Sequence, residues 1–355
     1  MTNEVAKVEV SIDNSADLPI DIAIAAFLDR QHEKGRFNET LRTYRKALNQ
    51  FLKRSGIYDI RQFDSHVVNQ FLLGLSEVEN TNTGNKLSTR TKRLYRAVLM
   101  KFTKFLYDSG VIAKDFSSDF TEFKLGNEDY HARAALTCKD AKKLLNVFKR
   151  KVAENTTEEN LRNYAICRLL LSCGLRCVEA CRLTVDSIHE VDGVYFIGVI
   201  GKGRTAPEDV RLPREVKAAV DAYLKVRKAR DDEKAMFVSC KKFRGKAIST
   251  QMINLIIKRG LVEAGILDGT TEKVEVFVDG VRKVINRRVD KNYYRKSAHS
   301  ARHFSALEQL RQNIPLDWIR KNLRHKNLSV TTLYLNDSDK LKNNGLDLVD
   351  DVLDD

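Results

Sequence analysis

Cys173-Gly-Leu-Arg-Cys-Val-Glu-Ala-Cys-Arg-Leu183 is the stretch on which the fold reading turns. Gly174 supplies a tight turn, because a residue without a Cβ enters positive-φ conformations at no steric cost. Arg176 then falls at the start of a helix, with Glu179 one turn further along and on the same face. The pair reads either as a structural ion pair or as the charged lining of an anion site, since a guanidinium stays protonated at any physiological pH. Three distant segments carry related chemistry: Gly201-Lys-Gly-Arg204, Ala298-His-Ser-Ala-Arg-His303 and Leu323-Arg-His-Lys-Asn-Leu-Ser-Val-Thr-Thr-Leu-Tyr334.

Around these segments the second half of the chain mixes helices with a few strands. Thr137 caps a helix that carries Leu144, Leu145 and Phe148. Val194 to Ile200 is a β-branched and aromatic run, and Val210 to Pro213 can return alongside it. A second hairpin joins Val274–Val278 to Val281–Ile285 through Asp279-Gly280, a dipeptide suited to the positive φ angles of a two-residue turn.

The first half reads as short helices only. Ile20, Ala23, Ile24, Phe27 and Leu28 form one apolar stripe. Leu41, Tyr44, Leu48, Phe51 and Leu52 form the next, with Asn38 as N-cap and Gly56 as the stop. A third helix spans Ser65 to Leu75. A fourth, Ser88 to Ser109, turns Leu94, Val98, Phe102, Phe105 and Leu106 inward and covers the rest with Arg90, Lys92, Arg93, Arg96, Lys101 and Lys104. The second helix repeats that design with Arg42, Arg45, Lys46 and Lys53. One such helix is an ordinary solvated face, but two in one small bundle point to a surface for a polyanion. Arg42, Arg45, Lys46, Arg90, Lys92, Arg93 and Arg96 are the candidate DNA-binding residues.

Length and composition set the frame. At 355 residues and 43% hydrophobic the chain can fill two cores. The expected divisions are an N-terminal extension (1–17), a basic helical domain (18–122), a linker (123–135), a second domain that carries the four segments (136–336) and an acidic tail (337–355). The net charge is +14, yet the tail holds seven Asp and two Lys, so residues 1–336 alone carry about +19. That surplus favours a nucleic-acid partner. No apolar run reaches the roughly 18 residues of a membrane span, and the first twenty residues have no signal-peptide core. The six cysteines form no CxxC pair, which fits reduced thiols in a cytoplasmic protein. Cys173, Cys177 and Cys181 recur every four residues, but Gly174 interrupts the helix and no histidine joins them, so no metal site is expected.

Taken in order, the four segments resemble the tyrosine recombinase (phage integrase) family, which includes XerC/XerD-like enzymes and mobile-element integrases. The family pattern is Gly-Leu-Arg-x-x-Glu, a lysine in a β-turn, His-x-x-Arg-His, a second histidine, and a tyrosine nine residues after it. Here those positions are Arg176 and Glu179, Lys202, His299 and Arg302, His325 and Tyr334. The likeness extends over about Leu18 to Leu335, because Asn38-Glu-Thr-Leu-Arg-Thr-Tyr44 and Leu87-Ser-Thr-Arg-Thr-Lys92 are similar to helices of the family's N-terminal domain. It implies a mainly α protein with a small β component: an N-terminal SAM-like helical bundle and a C-terminal α+β catalytic domain. It also implies that Tyr334 forms a 3′-phosphotyrosyl link, that Arg176 and Arg302 bind the phosphate, and that Lys202 is the general acid. His299 would assist proton transfer, His325 would hydrogen-bond the phosphate, and Glu179 would orient the neighbouring basic groups.

The same residues suit phosphoryl transfer on chemical grounds. Charge builds on the non-bridging oxygens, two guanidiniums can hold them bidentately, and a tyrosine of ordinary pKa near ~10 needs positive surroundings to attack at neutral pH. Two departures stand out. The turn after Lys202 is longer than usual and brings Arg204 close to the acid position, and Arg324 replaces the glycine that usually precedes the second histidine. The hairpin at Asp279-Gly280 and the basic residues Arg287, Arg288, Lys291, Arg295 and Lys296 look like an insertion. The expected activity is site-specific cleavage and rejoining of double-stranded DNA at paired sites, without metal or nucleotide cofactor. A homotetramer would carry it out, with accessory DNA-bending proteins as further partners, in integration or excision of a mobile element or in resolution of replicon dimers. A type IB topoisomerase and a non-catalytic DNA-binding relative are the alternatives. The two domains would clamp the duplex, and the tail, with Leu346, Val349 and Leu353 at helical spacing, would dock on a neighbouring subunit.

Overall fold

The structure, a computed structural model, describes residues 18–80, 86–124, 135–201, 204–241, 243–278 and 281–325. They fall into two units: residues 18–124 together with 274–287, and residues 135–273 together with 288–325. Most of the expected linker, the N-terminal extension and the acidic tail lie outside the described residues, as does the Asp279-Gly280 turn.

In the first unit α1 (Ile20–Glu33), α2 (Asn38–Ser55), α3 (Ser65–Gly74) and α4 (Thr89–Asp108) enclose an aromatic core. Phe51 meets Phe63 and Phe71 edge-on at 5.7 and 5.2 Å, and Phe27 meets Phe102 at 5.6 Å. Such edge contacts set ring positive edges against negative faces and add to the burial itself. Asp64 caps α3 by accepting from the Val67 N–H, and Ser88 caps α4 by accepting from Thr91. Asn38 is not the N-cap of α2: it is the first helical residue, preceded by extended Phe37, with no side-chain cap bond. On α4 the stripe is Val98, Leu99, Phe102 and Leu106, whereas Leu94 is 41% exposed. The neighbouring Tyr95 turns inward instead, with its ring 6.1 Å from Phe71.

The second unit is built around α6 (Glu158–Ser172). Leu161, Ala165, Ile166, Cys167, Leu169 and Leu170 are buried along it. A helix apolar on nearly every side must be covered on every side, and α6 packs against α5 (Cys138–Glu154), α8 (Arg214–Leu224) and α10 (Ala298–Arg311). Thr137 and Asp140 close a capping box at the start of α5, as its sequence suggests. The sheet is antiparallel, in the order β1 (Ile188–Val191), β2 (Val194–Val199), β3 (Glu208–Arg211), with Ile197 opposite both Ile188 and Val210. The return strand starts at Glu208, earlier than expected, and β1 is a strand the sequence reading did not include. Asp192 and Gly193 link β1 to β2, both at positive φ (49° and 75°), the conformation of a tight two-residue hairpin turn. The chain continues through α9 (Thr250–Glu263), the paired strands β4 (Thr271–Val278) and β5 (Val281–Arg288), then α10 and α11 (Leu316–Asn322). No helix among the described residues is long and apolar enough to cross a membrane.

Helix α9 approaches α5 closely at Gly260, where an added Cβ would lie 2.7 Å from Phe148 Cζ and 2.8 Å from Leu144 Cδ1. Those contacts are too short for the buried ring to absorb without moving the helix. Gly260→Ala should therefore lower the unfolding free energy by about 1–3 kcal/mol through overpacking, read as a shifted urea midpoint; an unchanged midpoint would contradict this packing.

Candidate active site

The turn before α7 (Cys177–Arg182) brings three parts of the second unit together. Gly174 has φ +58°, and a Cβ there would lie 2.6 Å from Leu323 Cδ2 and 3.1 Å from Ser305 Oγ. Conformation and space thus both reserve the position for glycine. Its carbonyl accepts from Arg302 Nη1 at 2.6 Å. Arg302 comes from the second turn of α10, is 1% exposed, and donates through Nη2 to the Leu323 carbonyl at the end of α11.

Glu179, buried at 0% exposure, is the meeting point. Its Oε1 accepts from Arg176 Nη1 at 2.6 Å. Its Oε2 accepts from the Arg176 backbone N–H and from Arg324 Nη2, both at 2.8 Å, and lies 3.5 Å from Arg302 Nη1. Burial pushes the carboxyl up. The charge and hydrogen bond of Arg324, the charge of Arg302 and the Arg176 N–H outweigh it, leaving the group below its ordinary value and ionised. Three guanidiniums around one carboxylate leave a surplus of positive charge, which is the electrostatic condition for binding an anion.

His325 is 4% exposed beside this cluster. Burial, then the charges of Arg302, Arg176 and Arg324, push its imidazole down to about 3 against the partial opposition of Glu179. The ring is neutral at physiological pH, with one nitrogen a donor and the other an acceptor. His299 stands on the first turn of α10, half-buried, its ring edge-on to His303 at 4.7 Å. Of the expected catalytic residues, the structure gathers Arg176, Glu179, Arg302 and His325 and sets His299 one helical turn from Arg302. Lys202 and Tyr334 lie outside the described residues. Next to Lys202, the Gly201 carbonyl accepts from Arg182 Nη1 at 3.1 Å, and Arg204 is ion-paired with Glu208.

Arg324 is the site residue that sequence reasoning missed, having noted it only as a replaced glycine. It retains the left-handed backbone, with φ +56°, and sends its side chain into the cluster. The available signal was a long cation at a position that favours a glycine, next to a histidine of the pattern. In the first unit Arg42, Arg45, Lys46, Arg90 and Arg93 are exposed. Lys92 donates to Ser76 Oγ at 3.1 Å, and Arg96 donates to the Phe120 carbonyl at 3.3 Å and pairs with Glu122 at 3.4 Å, so both also brace their own bundle. Among the described residues no group of His, Cys, Asp and Glu could hold a metal ion. Burial pushes the Cys173 and Cys181 thiols up to about 12.

Between its ordinary 6.5 and about 3, the His325 ring takes up a proton in the unfolded chain but not in the folded one. The unfolded state therefore binds more protons in that window, and stability falls as the pH falls through it. From about pH 7 to about pH 5 this group alone should cost about 2 kcal/mol. Urea unfolding of His325→Gln should show a smaller acid loss than the parent by that order; equal losses would mean the ring is not held neutral.

Comparison with known proteins places the chain in a family. Residues 135–340 match the phage integrase family, and residues 24–110 match the phage integrase N-terminal SAM-like domain. The tyrosine recombinase XerC of Caldanaerobacter subterraneus subsp. tengcongensis is 31% identical over 280 residues, covering 78% of this chain and 66% of that protein. The crystal structure of the XerH site-specific recombinase bound to palindromic difH substrate, a post-cleavage complex, is similar at a TM-score of 0.64 and 18% identity, covering 97% of this chain and 92% of that one. A lambda integrase tetramer bound to a Holliday junction is similar at a TM-score of 0.60 and 13% identity, covering 90% and 78% of the two chains. The likeness to both solved structures is one of fold: a SAM-like helical domain followed by the recombinase catalytic fold. With more than half of its length matched, the chain belongs to the phage integrase family, the tyrosine recombinases, a class of enzymes that cleave and rejoin DNA.

Proposed function

We propose that this protein is a site-specific recombinase acting on paired sites in duplex DNA through a 3′-phosphotyrosyl intermediate. The observation that carries the reading is the gathering of Arg176, Arg302 and a neutral His325 about the buried carboxylate of Glu179. Fixed cations in a site shielded from water stabilise the charge that grows on a phosphodiester under attack, because they need no reorganisation as the reaction proceeds. His325, neutral, donates a hydrogen bond to a non-bridging oxygen. Arg176, less buried than Arg302, is the arginine a phosphate reaches first.

In this reaction the Tyr334 oxygen attacks the scissile phosphorus and the phosphorus–O5′ bond breaks. The phenolic proton passes to His299, which in this way assists proton transfer, and the leaving 5′ oxygen gains a proton from Lys202. One phosphodiester is exchanged for another, so the energy of the broken bond is kept and no nucleotide is consumed. Arg204, paired with Glu208, is no substitute for the acid, since a guanidinium does not give up its proton. The exposed cations Arg42, Arg45, Lys46, Arg90 and Arg93 hold the duplex through its phosphates.

The working unit in this reading is a cytoplasmic homotetramer on two sites, joined by accessory DNA-bending proteins, with integration or replicon resolution as the biological outcome. A cavity of about 450 Å³ in the second unit is lined by Leu145, Leu171, Phe304 and Ile314, with Lys142 and Glu308 beside them. Its apolar lining suits the stripe Leu346, Val349 and Leu353 of a neighbouring chain's tail.

Tyr334→Phe should abolish the covalent adduct on a nicked suicide duplex while leaving binding intact, and Arg176→Ala should slow adduct formation about 10²–10³-fold. An adduct that survives in Tyr334→Phe would sink the assignment. Recombination of two sites by the parent, as opposed to relaxation of one supercoiled circle, separates this activity from that of a topoisomerase. Deleting residues 345–355 should preserve half-site binding and weaken cooperative pairing and recombination; full cooperativity in the truncated protein would rule out the tail exchange.

A further inference from the structure

Arg324 combines a disfavoured backbone with a buried charge. At φ +56° it occupies the left-handed region, where Cβ crowds the following carbonyl and Gly, Asn and Asp are the common residues. Its side chain is 2% exposed. Nη2 donates to Glu179 Oε2 at 2.8 Å and Nη1 to the Asn322 carbonyl at 2.7 Å, while Nε is buried with no hydrogen-bond partner among the described residues. Strain, a desolvated cation and an unmet N–H all count against folding. A glycine would remove all three.

We propose that Arg324 is a positioning residue of the recombination reaction. It takes up the charge of Glu179 so that Arg176 and Arg302 keep theirs for the phosphate, and it closes the turn that sets His325 beside them. The inference rests on the functional reading above. Without Arg324, the Arg176 side chain would be the one guanidinium in direct hydrogen-bond contact with Glu179, at 2.6 Å, and the two would approach a neutral pair. With it, three guanidiniums share one carboxylate. The turn itself is held on both sides: Arg302 Nη2 donates to the Leu323 carbonyl, the Arg324 N–H to Lys321 O at 2.9 Å, and the His325 N–H to Arg320 O at 3.0 Å. His325 therefore has little freedom apart from the cluster.

The test uses full-length protein and a nicked duplex carrying the sequence that the parent selects from a random pool, with single-turnover adduct formation at saturating protein as the readout. Arg324→Gly fits the φ angle, so a residue with only a local packing role predicts unchanged adduct formation. Positioning predicts adduct formation at least about tenfold slower with duplex affinity changed less than about twofold. Two further variants read the charge directly. Arg324→Lys should react faster than Arg324→Gln, and Glu179→Gln placed in the Arg324→Gly background should restore part of the lost rate by removing the negative charge that then offsets Arg176. An unchanged rate in Arg324→Gly, or no gain from Glu179→Gln in that background, would overturn the inference while leaving the recombinase reading in place. If Arg324→Gly does not fold, equal rates for the Lys and Gln variants would overturn it. Absence of any adduct with the parent would overturn the functional reading and this inference together.

Discussion

The second unit depends on a carboxylate that could not be buried alone. Moving an ion out of water costs several kcal/mol even after relaxation, and Glu179 has no solvent contact to offset it. Compensation comes from Arg176, Arg302 and Arg324, which lie on separate stretches of the chain and reach the same two oxygens. The carboxylate thereby acts as a joint. It fixes the turn after α6, the start of α10 and the end of α11 relative to one another, with tolerances set by hydrogen bonds. Packing alone would not hold them so closely. The joint is not electrically balanced: one negative charge serves three positive ones, in surroundings of low dielectric where the imbalance is felt strongly. Under the proposed function the scissile phosphate completes it.

The scaffold explains how such a cluster can be held in place. Helix α6 is buried almost all round and ends at the Gly174 turn, so the first arginine is attached directly to a deeply buried element of the core. Arg302 extends from α10, which packs directly against α6. Its guanidinium is locked by two backbone carbonyls, Gly174 O and Leu323 O. Placing reactive groups on packed helices and fixing their rotamers with second partners is what allows a site to meet a transition state without rearranging. It also means that a small residue such as Gly174 bears on the chemistry only through geometry, by letting Leu323 and Ser305 come close.

How much of this the amino-acid sequence disclosed differs from residue to residue. The pairing of Arg176 with Glu179 was legible because helical spacing fixes which side chains meet. The convergence of Arg302 and His325 on the same spot has no local signal, and only the family resemblance anticipated it. Leu94 was misread for a simple reason. Leu94 and Leu99 both border the apolar face of α4, consecutive residues differ by about 100° around the helix, and the pattern does not say which edge the rest of the bundle covers. The β1 strand escaped notice because its four residues are largely exposed and include His189 and Glu190, so little apolar alternation marks it. Arg324 was harder still: its identity argued against the left-handed turn it makes, and only the distant Glu179 accounts for the exception.

The basic character of the chain resolves into two kinds of charge with different physics. Arg42, Arg45, Lys46, Arg90 and Arg93 in the first unit are solvent-exposed, so their pull on a polyanion is screened over about 8–10 Å at physiological salt and is largely indifferent to sequence. Arg302 and Arg324 are buried, and salt reaches them little. Some cations stand between these classes: Arg96 anchors the Phe120 carbonyl and Lys92 reaches Ser76, so they stiffen the bundle as well as charging it. A net charge counts all of these alike. What distinguishes the candidate site is not the number of its arginines but that Arg302 and Arg324 are denied water and all three are given a fixed partner, which under the proposed function turns a diffuse attraction for phosphate into a defined geometry around one.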